Sequence, residues 1–481
     1  MLNQSYLNGY DAAAIRERAV SVIENGKRLK QDALDRYRKQ FDEKCATSKS
    51  TINEAKNYIP GGVQHNLALN HPFPLNIVKA EGPYLYDIDG NRYIDLLNGG
   101  GVTILGNNYP AVRDAVIETI NTTGYLTGLY HDYEKKLAEK ICSYYPSCDK
   151  FRMLGSGTEA VMVAIRLARA FTGKDQIVKL KGCYNGWSDH VVYDVRTVNT
   201  GTSFAVGVPD DTLKNTSAVM INDLEALEQR FIENEAKGGT AAFLIEPIGQ
   251  DSGGVPVQLG YHKKVRELCD KYGVLLIMDE VVTGFRLGMG GAQATFDVKA
   301  DITVFGKIIG GGFPSAGGVG ARDEIMSLCT PGVSHSAGKT IMLGGTLSAN
   351  PVSCAAGYTV ICELERTNAH EKLEVATEKF ARDLTDLANK YEIPAIITHQ
   401  GSIMQIDVTG FKHIATFENY SKEEIAEKRA EAGKRMNEFA MALAAEGVIV
   451  AAGNKTFLNL QTIDVLDDAL AAYERVFKEF E

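Results

Sequence analysis

The chain has 481 residues, 44% of them hydrophobic, and 51 Lys and Arg against 61 Asp and Glu give a net charge of −10. That length supports two or three packed domains, and diffuse negative charge repels phosphate backbones and anionic bilayers, which argues against nucleic acid and membrane as partners. No run of about 18 apolar residues occurs, and Met1 to Gly26 lacks the basic, apolar and small-residue order of an export signal, so the expected location is the cytoplasm. The eight cysteines show no CxxC spacing, which predicts neither a zinc site nor a disulfide framework.

Residues 1–50 read as an N-terminal helical extension, in which Ile15 to Phe41 alternates Arg, Lys, Glu and Asp like a packing or dimer arm. Residues 51–105 begin a segment that contributes to a small domain and to the active site. A turn at Pro60-Gly61-Gly62 precedes Tyr84–Asp87 and Arg92–Asp95, which flank Ile88-Asp89-Gly90-Asn91 as a hairpin. Across 106–349, helices alternate with short, wholly apolar runs: Ile177-Val178, Ala241 to Ile245, Val274 to Met278 and Ile302 to Phe305. Such runs predict the central strands of a mostly parallel sheet covered by helices on both faces, an α/β fold. Residues 350–481 carry amphipathic helices at Ala356 to Glu365, Glu371 to Lys390 and Lys422 to Glu446, with a strand at Phe457 to Leu460. They read as a smaller α+β domain.

Ligands of open parallel sheets gather beyond the carboxyl ends of the strands. Here three apolar runs end at Glu246-Pro247, at Asp279-Glu280 and at Gly306-Lys307, which delivers two kinds of carboxylate position and one amine to a single sheet edge. A fourth end, Met153-Leu154, runs into Gly155-Ser156-Gly157-Thr158-Glu159-Ala160 and a helix. Glycines before a helix start expose backbone N–H groups, and with the Ser and Thr hydroxyls they form a phosphate cup. No Gly-Lys-Ser/Thr follows, so the loop is not a nucleotide-triphosphate loop. A single phosphate, a carboxylate able to keep a ring nitrogen protonated and an amine able to form an imine together match the needs of pyridoxal 5'-phosphate. No metal site is expected.

The sequence resembles the class III aminotransferases of fold type I, most closely the branch containing glutamate-1-semialdehyde aminomutase and β-amino acid aminotransferases. The resemblance rests on Gly155–Ala160, Gly182-Cys183-Tyr184-Asn185-Gly186, Ile245-Glu246-Pro247, Asp279 to Arg286, Phe305 to Gly312 and Gly344 to Pro351, and runs from about Pro60 to the carboxyl end. It implies a large cofactor-binding domain with a mostly parallel sheet, a smaller α+β domain and a homodimer with shared active sites. It implies that Lys307 holds the cofactor covalently and moves protons, and that Asp279 pairs with the pyridinium nitrogen. Val281 packs on one face of the ring and Tyr184 on the other, Ser156, Gly157 and Thr158 hold the phosphate, and Thr346 reaches the phosphate of the neighbouring subunit. Glu246 either lies near the cofactor hydroxyl or caps a turn. Trp187, the only tryptophan, reads as core in preference to pocket wall, and Glu280 and Arg286 as a structural pair.

Several positions depart from those relatives. They usually place an arginine after the Pro-Gly-Gly turn, whereas Val63 to His71 contains none, which leaves His65 as the candidate for a substrate carboxylate. A bulky aromatic residue of the aminomutase pocket is replaced after Asn98 by Gly99-Gly100-Gly101, so Asn98 and Gly99 mark a substrate pocket widened or floored by backbone. The segment Ala451 to Lys455 also lacks the aminomutase's acidic residue. The sequence therefore predicts a pyridoxal-phosphate-dependent aminotransferase that moves an amino group between a small amino compound and an oxo-acid. The alternatives are a lyase eliminating ammonia or phosphate from a phosphate- or phosphonate-type amino alcohol, and an aminomutase or racemase.

Overall fold

The computed structural model describes residues 12–126, 128–195, 205–332, 340–414, 420–451 and 453–481. They group into two compact units, one within 110–370 and one within 12–109 and 371–481. Among the described residues no helix is long and apolar enough to cross a membrane.

The larger unit is built on seven strands: β1 (Lys150–Leu154), β2 (Gln176–Leu180), β3 (Thr216–Val219), β4 (Thr240–Ile245), β5 (Leu275–Glu280), β6 (Ile302–Gly306) and β7 (Gly317–Ala321). Their order across the sheet is β1-β7-β6-β5-β4-β2-β3. Only β7 runs against its neighbours, so the other six strands are mutually parallel and present their carboxyl ends on one edge. The expected parallel sheet is present. Strand β5 starts one residue later than the apolar run suggests and continues through Asp279 and Glu280, so both carboxylates are strand residues.

Alternation along the strands divides two apolar clusters. Ile177, Leu244, Ile277 and Val304 face helix α1 (Gly157–Thr172), which buries Ala160, Val161, Ala164, Ile165 and Ala168 at helical spacing. Val178, Phe243, Leu276 and Met278 face α2 (Leu224–Glu235) and α3 (Tyr261–Tyr272) through Leu227, Phe231, Val265 and Cys269. Each buried Leu, Ile, Val or Phe contributes about 2 kcal/mol, so the doubly covered sheet is the most rigid platform the unit offers.

Helix α4 (Pro351–Thr367) starts five residues before the predicted Ala356, because the Asn350 side chain accepts from the Ser353 N–H and Pro351 fits the first helical position. It packs in the larger unit against the turn Lys307–Gly310. A Cβ on Gly357 would collide with the Ile309 carbonyl oxygen, so the absence of a side chain there sets the approach of the helix.

In the smaller unit the predicted hairpin forms, with Tyr84–Asp87 antiparallel to Arg92–Asp95 in a four-stranded sheet that adds Ile77–Glu81 and Val448–Ile449. A second sheet joins Ile396–Gln400, Ile403–Asp407 and Lys455–Phe457, and this last strand lies earlier than the expected Phe457 to Leu460. The amino-terminal arm is two helices, Ala12–Asn25 and Gln31–Lys44. They bury Ala19, Val22, Leu34, Tyr37 and Phe41, as a packing arm requires.

Gly357→Ala should destabilise the larger unit by about 1–3 kcal/mol, because the added methyl must displace α4 from the Lys307 turn. Chemical denaturation measures this, and an unchanged midpoint would show that the helix can slide without loss.

Candidate active site

The ends of β1, β5 and β6 meet around one side chain. Strand β5 runs out at Asp279-Glu280, and the next residue, Val281, places its methyl groups where a Cβ on Gly157 or on Gly306 would lie only 2.8 Å away. The two glycines therefore let the loop after β1 and the residue before Lys307 close on Val281 from both sides. Gly317 of β7 serves the same end, since a Cβ there would run into the Ser156 backbone. Lys307 follows Gly306 with φ 50°, in the left-handed region that costs a lysine on the order of 1 kcal/mol, and it opens the turn Lys307–Gly310.

The cup after β1 is a helix start with its caps satisfied. Ser156 is the N-cap of α1, its Oγ accepting from the Glu159 N–H at 3.2 Å, and Glu159 Oε2 accepts from the Gly155 N–H at 2.9 Å. Gly157 and Thr158 occupy the first turn, where N–H groups have no partner within the helix and the dipole favours an anion.

From the β2 side, the loop after Leu180 carries Tyr184 and Asn185. Asn185 is buried, and its Nδ2 donates to Asp279 Oδ2 at 2.8 Å, while the Val281 N–H donates to Asp279 Oδ1 at 3.2 Å. A Cβ on Gly186, with φ 92°, would lie 2.8 Å from Thr158 Oγ1, so the loop rests against the start of α1. Tyr184 is 42% exposed, which leaves its ring accessible.

Glu246 ties two loops together. It is buried, and it accepts from the Tyr184 N–H at 2.5 Å and from the Ser252 N–H at 3.0 Å. Glu280 is fully buried among Thr283 Oγ1 and the N–H groups of Ala292 and Gln293. Trp187 is 75% exposed, which corrects its reading as core: the loop turns it outward. Thr346 is exposed, on a segment that approaches Glu159 through Gly345.

The larger unit thus brings together Ser156, Gly157, Thr158, Tyr184, Glu246, Asp279, Val281 and Lys307. The three candidate substrate residues belong to the smaller unit. Exposed His65 accepts from the Leu67 N–H at Nδ1, 3.0 Å away, which caps a short turn and leaves Nε2 as its donor. Asn98 is fully buried, donating to the carbonyls of Asp95 and Phe457 and accepting from Thr103 Oγ1 and Asn459 Nδ2. Gly99 is exposed at φ 59°, and Gly100 and Gly101 follow at φ 73° and 100°, so backbone forms this surface. Two partners escape a motif-based reading: Asn185 as the ligand of Asp279, and Lys179. The signal for Lys179 was a lone cation inside the apolar run Ile177-Val178-Lys179-Leu180.

Burial dominates the electrostatics. It pushes the Asp279 carboxyl up to about 6, against the opposing pull of the Asn185 amide, the Val281 N–H and the cations of Lys307 and Lys179. It pushes Glu246 up to about 7, and the neighbouring Asp251 carboxylate adds to the rise. Both groups bind protons more tightly folded than unfolded, so the folded chain gains protons over this window and loses stability as pH rises from about 4 to about 7. In cofactor-free protein, Asp279→Asn should raise stability by up to about 3 kcal/mol above pH 7 and change nothing below about pH 4. Urea unfolding at a series of pH values measures this, and an equal effect at both ends would mean that the carboxylate is solvated.

Comparison with known proteins agrees with this geometry. A family model described as aminotransferase class-III matches residues 67–476. Glutamate-1-semialdehyde 2,1-aminomutase of Ignicoccus hospitalis is 44% identical over 333 residues, 69% of this chain and 76% of the relative. Among solved structures, an omega-transaminase from Sphaerobacter thermophilus is similar with a TM-score of 0.80 at 26% identity, covering 91% of this chain and 99% of that one. A β-phenylalanine aminotransferase from Variovorax paradoxus gives 0.78 at 27% identity over 92% and 96%. The residues present fit a phosphorylated pyridine aldehyde: an anion cup at a helix start, a buried carboxylate within electrostatic reach of a lysine, and the apolar Val281 packed beside Gly157 and Gly306. The chain belongs to the class III aminotransferase family, and its cofactor is pyridoxal 5'-phosphate.

Proposed function

We propose that the enzyme transfers an amino group from a small amino compound to an oxo-acid acceptor, and that the residues gathered at the sheet edge divide the work. The observation that carries this reading is the buried Asp279, fixed by Asn185 and Val281 on the same edge as Lys307. When bound, the cofactor supplies an electron sink for breaking a bond at the amine-bearing carbon. Asp279 would keep a proton on the ring nitrogen, Lys307 Nζ would hold the aldehyde carbon at rest and, as a free amine once the substrate has replaced it, carry the proton moved during transfer, and Ser156, Gly157 and Thr158 would seat the phosphate. Val281 and Tyr184 hold the ring plane from its two faces, and Glu246 fixes the Tyr184 backbone beside it. On the substrate side, His65 Nε2–H is the donor for an acidic group, with Gly99 as backbone floor and Asn98 as the residue that shapes it.

The same reading includes a homodimer in which Thr346 serves the partner's phosphate. Its support is an apolar surface on the larger unit: Leu129 is 64% and Met342 71% exposed, with Tyr125, Tyr130 and Leu347 also outside. The bond of His131 Nε2 to the Ala349 carbonyl, 2.8 Å, sets these two loops side by side. All eight cysteines are free, which suits a reducing cytoplasm. Leu129→Asp should then convert a dimer into a monomer in size-exclusion light scattering, and a monomeric wild type would overturn the shared site.

A second reading, migration of the amine within one substrate, is favoured by the 44% identical relative that bears the aminomutase name. One experiment separates the outcomes. Purified enzyme is mixed with amines, β-amino acids and phosphorylated or phosphonate amino alcohols without acceptor, and the cofactor spectrum and free ammonia are followed. Conversion to the aminated cofactor that stops after one equivalent supports the transferase. Continued release of ammonia or phosphate identifies a lyase, and continued isomerisation a mutase. In all three cases Lys307→Ala should lose the visible band of covalently held cofactor, and a retained band would remove Lys307 from its role.

A further inference from the structure

The reaction outlined above makes no use of Lys179, yet its amine is fully buried on β2 in the cofactor-binding unit, where burial pushes its pKa down and the nearby Glu246, Asp194 and Asp279 carboxylates favour its charge. Pairing aligns Lys179 with Leu244 of β4, and Leu244 with Ile277 of β5, so all three point to the same face of the sheet. Asp279 stands two residues beyond Ile277 and projects to that face as well. The lysine is thus one step behind the site in an otherwise apolar layer of Ile177, Ala242, Leu244 and Leu275.

Its three protons are all placed. Nζ donates to the carbonyls of Leu180 at 3.1 Å, Cys183 at 3.0 Å and Tyr193 at 3.3 Å. Cys183 lies on the outgoing limb of the loop after β2 and Tyr193 on the returning limb, and the Gly182 N–H closes the base on the Asp194 carbonyl at 2.7 Å. The two residues immediately after Cys183 are Tyr184, whose N–H is bound by Glu246, and Asn185, which holds Asp279.

We infer that Lys179 is a positioning residue: its ammonium staples both limbs of the 182–195 loop and so holds Asn185 on Asp279 and Tyr184 at the cofactor position. A neutral side chain would leave three buried carbonyls short of a donor, and the loop would lose its anchor at the point where it enters the site. The charge contributes separately. Glu246 and Asp279 each draw on the Lys179 cation, so its removal also strips a counter-charge from two buried carboxylates.

The inference rests on the functional reading above, and the loop itself carries an independent probe. Trp187, the only tryptophan, sits in the stapled loop and is exposed, so its fluorescence anisotropy reports loop order with or without cofactor. In Lys179→Met, Trp187 anisotropy should fall and pyridoxal 5'-phosphate, titrated by its visible band, should bind about tenfold more weakly. Asn185→Ala should weaken binding similarly, and the double variant should lose less than the sum of the two single losses, because the staple and Asn185 share one contact to Asp279 while the lysine's charge acts separately. Wild-type anisotropy and affinity in Lys179→Met, or losses that add in the double variant, would overturn the inference. If Lys179→Met does not fold, Lys179→Gln is read in the same two ways, and wild-type values there also overturn it. Failure of the wild type to bind the cofactor would instead strike the functional reading, while anisotropy of the cofactor-free protein would still decide the staple.

Discussion

A carboxylate taken out of water at the end of a central strand is the constraint around which the larger unit is arranged. Asp279 sits in β5, flanked by β4 and β6, where neither solvent nor a flexible surface side chain can compensate it. The chain answers with fixed partners from three directions: the Val281 N–H two residues ahead, the Asn185 amide from the β2 loop, and the cations of Lys307 and Lys179. Each partner in turn needs a support. Val281 needs two glycines beside it, Asn185 needs a stapled loop, and Lys307 needs a left-handed backbone held by the turn under α4.

Close backbone approach is the second theme, and it explains why so much of the site is glycine. Gly157, Gly306 and Gly317 are positions where a methyl would strike Val281 or the Ser156 backbone, and Gly186 is where the loop meets Thr158. Glycine lowers the stability of a strand or helix through unfolded-state entropy. The sheet can bear that cost because two apolar clusters cover it completely, so flexibility in the unfolded chain is exchanged for a site whose walls sit at van der Waals distance. Function therefore lies where the strands stop, and stability in the layers behind them.

The parallel sheet was legible because fully buried strands leave wholly apolar runs, and the cup because Gly155 and Gly157, with Ser156 and Thr158, stand between a strand end and a helix start. What pattern could not show is where tertiary structure overrides propensity. Asp279 and Glu280 are poor strand formers, so the apolar run ends at Met278, yet pairing with β6 continues to Glu280. Asn350 moved the start of α4 because capping chemistry outweighs the weak periodicity of Pro351 to Ala355. Trp187 looked more like core than pocket wall from its chemistry, but the loop that presents Tyr184 and Asn185 turns Trp187, two residues further on, outward. The role of Lys179 was hidden for a different reason: its partners are carbonyl oxygens of its own neighbourhood, and backbone acceptors leave no trace in a sequence.

These features make the cofactor part of the folding balance. Without it, burial raises Asp279 to about 6 and Glu246 to about 7, so at neutral pH the chain holds an ionised Asp279, and a partly ionised Glu246, in a place that disfavours the charge. In the reading proposed above, a protonated ring nitrogen beside Asp279 would supply the missing positive charge, favouring the ionised carboxylate and removing part of the desolvation penalty. A ligand that binds the folded chain and not the unfolded one stabilises it by mass action. Here that stabilisation includes the relief of a strain already present in the cofactor-free site. On the proposed role of Asp279, the buried charge that weakens the empty protein is also the charge that would hold the cofactor, so affinity and cofactor-free stability are opposed there, and Lys179 would moderate the opposition by lending one cation to both states.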